Sequence, residues 1–350
     1  MQYKSFGRRS GLRVSELALG TGNFGTGWGY GAERDAARAV FDRYVEAGGN
    51  FIDTADGYQG GQSEELTGDF IAADRDHFVL ATKFTLSGPG GISGTGNSRK
   101  AMVQSVEASL KRLKTDRIDL YWAHFADSHT PVEELLRAFD DLVRAGKILY
   151  AGLSNFPAWR IARADAIAEL RGWAPLVGVQ MEYSLAERSA DRELLPMIEG
   201  LGLGGALWSP LGGGLLTGKY RNNEEGRLQG FGGRLVHRED SERATATLDA
   251  VLAVAAEVDA PPAQVAIAWL LHRDAASSTA LVPILGPRTL AQLDGTLGAL
   301  NVKLSPDQLA RLDAASAIQL GSPYDTIAQT AGAIAGGQAE LLLPRKVPVA

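Results

Sequence analysis

Eight short apolar runs, each followed by a stretch of amphipathic helical period, constrain this chain more than anything else in it. The runs are 17–19, 50–53, 78–82, 118–122, 148–153, 177–180, 204–208 and 281–284. The helical stretches lie near 35–47, 63–71, 99–113, 131–145, 157–170, 191–201, 241–271 and 289–297. Parallel strands need a helix-length crossover, and strands buried on both faces read as unbroken apolar runs. Eight β-then-α units in 350 residues therefore predict an α/β fold, a (β/α)8 TIM barrel forming one domain over 1–350. Four pieces fall outside the eightfold rhythm. Residues 3–15 read as an N-terminal hairpin, turning near 8–11 and placed to plug the barrel bottom. Residues 210–240 read as a long Gly-rich loop after the seventh strand, and loops of that length usually carry function. Ser305-Pro306-Asp307 opens an extra helix over 305–315, and the Ala- and Gly-rich tail from about 318 shows no strong periodicity, so it either packs on the barrel or is mobile.

Composition narrows the partners. A net charge of −6 leaves no basic footprint for nucleic acid. The absence of cysteine removes disulfides and thiolate metal sites and fits a reducing cytosol. No His/Asp/Glu spacing resembles a metal site. The N-terminus has no apolar core of the signal-peptide kind, and no stretch approaches the ~18 apolar residues of a membrane helix. The expectation is a cytoplasmic protein whose partner is a small molecule, with neither nucleic acid nor membrane involved.

In such a barrel, chemistry gathers at the C-terminal ends of the strands. The second run ends at Asp53, with Tyr58 just beyond; the third ends in Lys83 and the fourth in His124. The fifth ends at Ser154-Asn155, the sixth at Gln180 and the seventh at Trp208, while the eighth runs into Gly286-Pro287-Arg288. A free phenol, with a pKa of about 10, is a poor acid at neutral pH, and a neighbouring ammonium favours its ionised form. Lys83 can supply that charge, Asp53 can orient Lys83, and His124 can donate a hydrogen bond to a carbonyl oxygen. Together they would protonate an oxygen as negative charge develops on it, as when a carbonyl accepts hydride from a nicotinamide. Taken singly, Asp53 could cap a turn, and Lys83 could be the nucleophile of a Schiff-base barrel enzyme.

Gly20-Thr21-Gly22-Asn23-Phe24-Gly25 fits the G-x-G-x-x-G pattern, but the glycine-rich continuation cannot start a helix, so it reads as the first βα loop and not as a dinucleotide fingerprint. Phe24, Trp28, Tyr30, Trp122 and Phe156 are candidates for an apolar pocket wall, and each could equally be core. His77, His129, His237 and His272 read as surface or packing residues.

The chain resembles the aldo-keto reductase family over nearly its full length. The matching segments are Phe51-Ile52-Asp53-Thr54-Ala55-Asp56-Gly57-Tyr58, Ala81-Thr82-Lys83-Phe84, Asp119-Leu120-Tyr121-Trp122-Ala123-His124, Gly152-Leu153-Ser154-Asn155-Phe156, Val179-Gln180-Met181-Glu182-Tyr183-Ser184-Leu185 and the run from Trp208 to Lys219. The resemblance implies that Tyr58 is the general acid, Lys83 and Asp53 its activating pair, and His124 the substrate-orienting residue. It implies that Ser154, Asn155 and Gln180 hold a nicotinamide carboxamide and that Trp208 stacks on the nicotinamide. Ser209, Pro210 and Leu211, with Gly213 and Lys219, correspond to the loop over the pyrophosphate. Gly286, Arg288, Gln292 and Thr296 correspond to the adenosine-phosphate grip, and Thr21, Gly22 and Asp53 are counted with the cofactor site. The implied cofactor is NADPH/NADP, with NAD possible, because Gly295-Thr296 stands where the family commonly has Glu-Asn. Arg288 still matches a 2′-phosphate. Trp208-Ser209-Pro210-Leu211 looks most like the branch containing the potassium-channel β subunits and their bacterial relatives, which keeps open an NADP-binding regulatory subunit with little turnover.

Overall fold

A computed structural model describes residues 1–86, 91–222 and 236–342. Residues 223–235 of the long loop and the end of the tail, 343–350, lie outside the described residues. Strands β3 (Ala18–Gly20), β4 (Phe51–Asp53), β5 (Val79–Phe84), β6 (Ile118–Ala123), β7 (Ile148–Ser154), β8 (Leu176–Glu182), β9 (Gly204–Trp208) and β10 (Leu281–Leu285) pair in parallel, in chain order. β10 closes on β3 to complete the barrel. The helices outside it are α1 (Arg34–Glu46), α2 (Gln62–Ile71), α3 (Arg99–Leu113), α4 (Val132–Arg144), α5 (Ala158–Arg171) and α6 (Leu194–Leu201), then α7 (Glu242–Glu257), α8 (Pro262–Ala276), α9 (Leu290–Leu297) and α10 (Pro306–Ser316). The expected (β/α)8 barrel is the fold.

Two helical expectations need correction. The stretch 241–271 is two helices, α7 and α8, bent by 99°. Asp259 adopts a left-handed φ of 49°, and Pro261-Pro262 follows, which forces extended backbone before the new helix starts. The tail, which has no strong apolar periodicity, carries a helix, α11 (Tyr324–Ile334), with no buried residue. Its alanine-rich composition favours helix without a packed face. Among the described residues, no single helix is long and apolar enough to cross a membrane.

The hairpin β1 (Tyr3–Ser5) and β2 (Arg13–Ser15) lies across the N-terminal end of the barrel. Phe6 enters the interior, edge-on to Phe51 at 5.6 Å and to Trp122 at 6.3 Å. Its ring passes so close to β8 that a Cβ at Gly178 would stand 2.4 Å from it, so only glycine fits there. Trp122, a candidate for either core or pocket wall, fills the same interior and is fully buried. Phe24 is likewise core, fully buried and edge-on to Phe70 at 6.0 Å. Phe156 is buried within the core with the Arg160 guanidinium over its ring at 5.3 Å. Large aromatics serve both core and pocket, and composition alone does not separate the two.

Candidate active site

Parallel register sets Asp53 of β4 beside Ala81 of β5 and Lys83 beside Trp122 of β6, so the strand ends rise together at one mouth. Lys83 is fully buried, and its ammonium donates to Asp53 Oδ2 at 2.6 Å, to the Thr54 carbonyl at 2.7 Å and to the Tyr58 hydroxyl at 3.2 Å. Burial works against the Lys83 charge, but the Asp53 carboxylate and the Tyr58 oxygen outweigh it and hold the ammonium above its ordinary range. A lysine whose ammonium is favoured and bonded to three oxygens is poorly suited to act as a Schiff-base nucleophile, which needs the free amine. The second oxygen of Asp53 accepts from Gln180 Nε2 at 2.8 Å, a contact across the barrel. Gln180 therefore joins the cluster of Asp53, Lys83 and Tyr58.

Tyr58 follows β4 by a turn in which its backbone N–H donates to the Ala55 carbonyl at 3.1 Å and that of Asp56 donates to the Lys83 carbonyl at 3.1 Å. Tyr58 is thereby tied to the strand that carries Lys83. The His124 ring stands edge-on to Tyr58, with ring centres 6.0 Å apart. Its backbone N–H donates to Phe84 O at 3.0 Å and to Thr85 Oγ1 at 3.2 Å. Burial, and next the Lys83 charge, push the His124 pKa down to about 2. The imidazole is therefore neutral and presents one N–H, which suits a hydrogen-bond donor to a carbonyl oxygen.

A second network begins beside His124. Asn155 has a left-handed φ of 54°, and its Nδ2 donates to the His124 carbonyl at 2.9 Å and to Ser154 Oγ at 3.0 Å. Its Oδ1 accepts from Trp208 Nε1 at 3.2 Å, so the half-buried indole at the end of β9 is anchored to the end of β7. Ser209 then turns left-handed at φ 53°, and Pro210-Leu211 leads into Gly212–Thr217. A Cβ at Gly213 would meet Val236 Cα at 2.9 Å, and the Tyr220 hydroxyl donates to the Gly213 carbonyl at 2.8 Å. Lys219, next to Tyr220, packs against Gly214 of the same turn.

Beyond β10, Gly286 is exposed and its carbonyl accepts from Asn23 Nδ2 at 2.8 Å. The Arg288 backbone N–H donates to Gln292 Oε1 at 2.8 Å, and its guanidinium lies over the Tyr30 ring at 4.6 Å. Thr296 uses its hydroxyl on its own helix, bonding Leu293 O at 2.9 Å. The buried Thr21 hydroxyl is engaged with Ser63 Oγ at 2.8 Å, and its backbone N–H donates to the Asp53 carbonyl at 2.9 Å, so Thr21 braces the first loop against β4. Gly22 faces the acid: a Cβ there would touch the Tyr58 ring at 3.6 Å. Trp28 is 44% exposed, with its indole edge-on to Tyr58 at 6.0 Å. Of the five pocket-wall candidates, Trp28 and Tyr30 are the two at the mouth. Reading the sequence missed Asn23, Asp56 and Gln59, all buried within or beside this mouth. Only the first-loop position of Asn23 could have drawn attention to it. Among the described residues, no group of three His, Cys, Asp or Glu could hold a metal ion.

The family description "Aldo/keto reductase family" matches residues 16–317. Norsolorinic acid reductase of Aspergillus flavus is 36% identical over 332 residues, covering 92% of this chain and 82% of that protein. The uncharacterized oxidoreductase YrpG of Bacillus subtilis is 38% identical over 325 residues, covering 89% of this chain and 95% of that protein. Aryl-alcohol dehydrogenase [NADP(+)] of Phanerodontia chrysosporium is 35% identical over 337 residues, covering 90% of this chain and 86% of that protein. These names are of oxidoreductases and not of channel subunits. The eight-stranded barrel, the strand-end cluster of Asp53, Tyr58, Lys83 and His124, and these likenesses agree, and the chain belongs to the aldo/keto reductase family.

Proposed function

We propose that this protein reduces an aldehyde or ketone to the alcohol, reversibly, with NADPH as hydride source and Tyr58 as general acid. The observation that carries the reading is the buried Lys83 ammonium, 2.6 Å from Asp53 Oδ2 and 3.2 Å from the Tyr58 hydroxyl, at the mouth that His124 overlooks. Tyr58 gives its proton to the carbonyl oxygen as charge builds there, and the negative charge left on the phenol oxygen faces Lys83. The neutral His124 donates its N–H to the same oxygen and sets the carbonyl's direction. Asp53 keeps Lys83 in place, and Gln180 keeps Asp53 in place.

The residues present fit a nicotinamide dinucleotide. The indole of Trp208 is fixed by Asn155, a glycine turn lies beside Lys219, and a second cation, Arg288, stands past β10. Asn23 Oδ1 is buried with no partner among the described residues, as a ligand-facing acceptor would be. When bound, the nicotinamide supplies the hydride. Trp208, Ser154, Asn155 and Gln180 would hold its ring end, the 209–219 turn its pyrophosphate, and Arg288 with Gln292 the 2′-phosphate. The name of the NADP(+)-dependent relative supports the choice of NADPH.

A panel of carbonyl compounds followed at the NADPH absorbance band tests the reading, with Arg288→Ala as its control. Wild type is expected to turn over at least one aldehyde or ketone and to bind NADPH more tightly than NADH. Arg288→Ala should weaken NADPH by about 1.5–3 kcal/mol, the range for hydrogen bonds to charged groups, and leave NADH nearly unchanged. Tight NADPH binding with no turnover of any carbonyl would favour a regulatory subunit. Equal losses for both cofactors would remove the 2′-phosphate role from Arg288.

A further inference from the structure

Gln59, immediately after Tyr58, commits its whole side-chain amide to the first βα loop. It is 1% exposed. Its Nε2 donates to the Gly22 carbonyl and to the Tyr30 carbonyl, both at 2.9 Å, and its Oε1 accepts from the Trp28 backbone N–H at 3.0 Å. Those three bonds span the loop from its start to its end. The loop closes directly on Gln59, since a Cβ at Gly27 would stand 2.3 Å from the Gln59 carbonyl oxygen. Gln62 adds a fourth tie, its Oε1 accepting from the Thr26 N–H at 2.9 Å.

The backbone of Gln59 makes this arrangement telling. It sits at φ 53° and ψ 32°, a left-handed conformation that costs an ordinary side chain and suits glycine. A strained residue persists only where its surroundings require it. Here the strain points the amide at the loop that carries Trp28. The Trp28 indole stands edge-on to the Tyr58 ring on one side, at 6.0 Å, and His124 stands edge-on to it on another, also at 6.0 Å. A half-exposed indole beside a proton donor is an apolar wall for whatever presents its carbonyl to that donor.

We propose that Gln59 is a positioning residue for specificity: it clasps the first βα loop so that Trp28 walls the mouth beside Tyr58, selecting carbonyls conjugated to a flat aromatic ring over short aliphatic ones. The inference rests on the carbonyl-reductase reading above. Gln59 acts through Trp28 and touches neither substrate nor cofactor.

Steady-state kinetics with benzaldehyde and with propanal, both with NADPH, test it in Gln59→Gly, Gln59→Glu, Trp28→Ala and the double variant Trp28→Ala/Gln59→Gly. Glycine accepts the left-handed φ, so Gln59→Gly keeps the turn behind Tyr58 and removes only the clasp. It should lower kcat/KM for benzaldehyde about tenfold relative to propanal, mainly through KM. Gln59→Glu keeps the acceptor for Trp28 N–H but cannot donate to Gly22 O or Tyr30 O, and it should shift the same ratio in the same direction by less. If Gln59→Gly does not fold, the Gln59→Glu ratio decides alone. The double variant should show the ratio of Trp28→Ala, because both changes remove one wall. An unchanged ratio in the Gln59 variants, an equal fall for both aldehydes, or losses that multiply in the double variant would overturn the proposal. Failure of the wild type to reduce either aldehyde or any other carbonyl would instead count against the reductase reading.

Discussion

Asp53 and Asp56 stand three residues apart on one segment, with 2% and 6% of their surfaces exposed, yet their electrical circumstances are opposite. Asp53 has a partner for each oxygen: the Lys83 ammonium at 2.6 Å and the Gln180 amide at 2.8 Å. Asp56 has none among the described residues for either oxygen. Burial, and next the nearby Glu64 charge, push its pKa up to about 7. Glu64 in turn accepts from Thr82 Oγ1 at 2.6 Å and from Arg112 Nε at 2.7 Å behind the site. Burial alone therefore does not decide whether a carboxyl is charged; its partners do. The chain places an ion pair beside Tyr58 and, two residues before Tyr58, a carboxyl without a partner among the described residues, whose hold on its proton burial strengthens.

The largest effect is expected from breaking the charged half of this contrast. Lys83→Met leaves Asp53 buried with only Gln180 as partner. Removing one member of a buried pair typically costs about 3–5 kcal/mol, and turnover should collapse with it. Urea unfolding and kcat on the same preparation check both. Wild-type stability together with wild-type turnover would put the two aspartates on the same footing.

The neutral half is tested by Asp56→Asn. The folded protein holds the Asp56 proton up to about pH 7, whereas the unfolded chain releases it near the ordinary value of 3.8. Between those limits the folded state binds more protons, so stability falls as pH rises, by on the order of 4 kcal/mol in all, and no further above pH 7. The amide cannot ionise, so the variant should lose this slope and be the more stable protein at pH 8. Urea midpoints at pH 5 and pH 8 measure it. The same slope in variant and wild type would mean that Asp56 is charged in the fold.

The contrast was half legible in the sequence. Asp53, Lys83 and His124 each terminate an apolar run, and a buried parallel strand announces its end by its first polar side chain. For the same reason α3 matches its expected bounds, 99–113, and most strands differ from theirs by a residue or two. Pro261-Pro262 should have divided the stretch 241–271, since the residue before a proline resists helix. Asp56 and Gln59 were silent because their roles lie in what packs on them. The Asp56 proton depends on Glu64 and Arg112, brought in by α2 and α3. The left-handed φ of Gln59 has no signature in a glutamine. The partner of Gln180 lies 127 residues away, and no local pattern reports it.

In the proposed function this charge arrangement serves the Tyr58 hydroxyl, so the decisive measurement is kcat for Tyr58→Phe beside its NADPH affinity by fluorescence quenching. The substitution removes one oxygen and leaves Trp208, Asn155 and Arg288 untouched. Loss of a general acid costs about 10²–10⁴ in rate, so kcat should fall by that factor with NADPH affinity unchanged. A variant that retains near-normal kcat on a good carbonyl substrate would contradict Tyr58 as the proton donor, and with it the purpose assigned to Asp53 and Lys83.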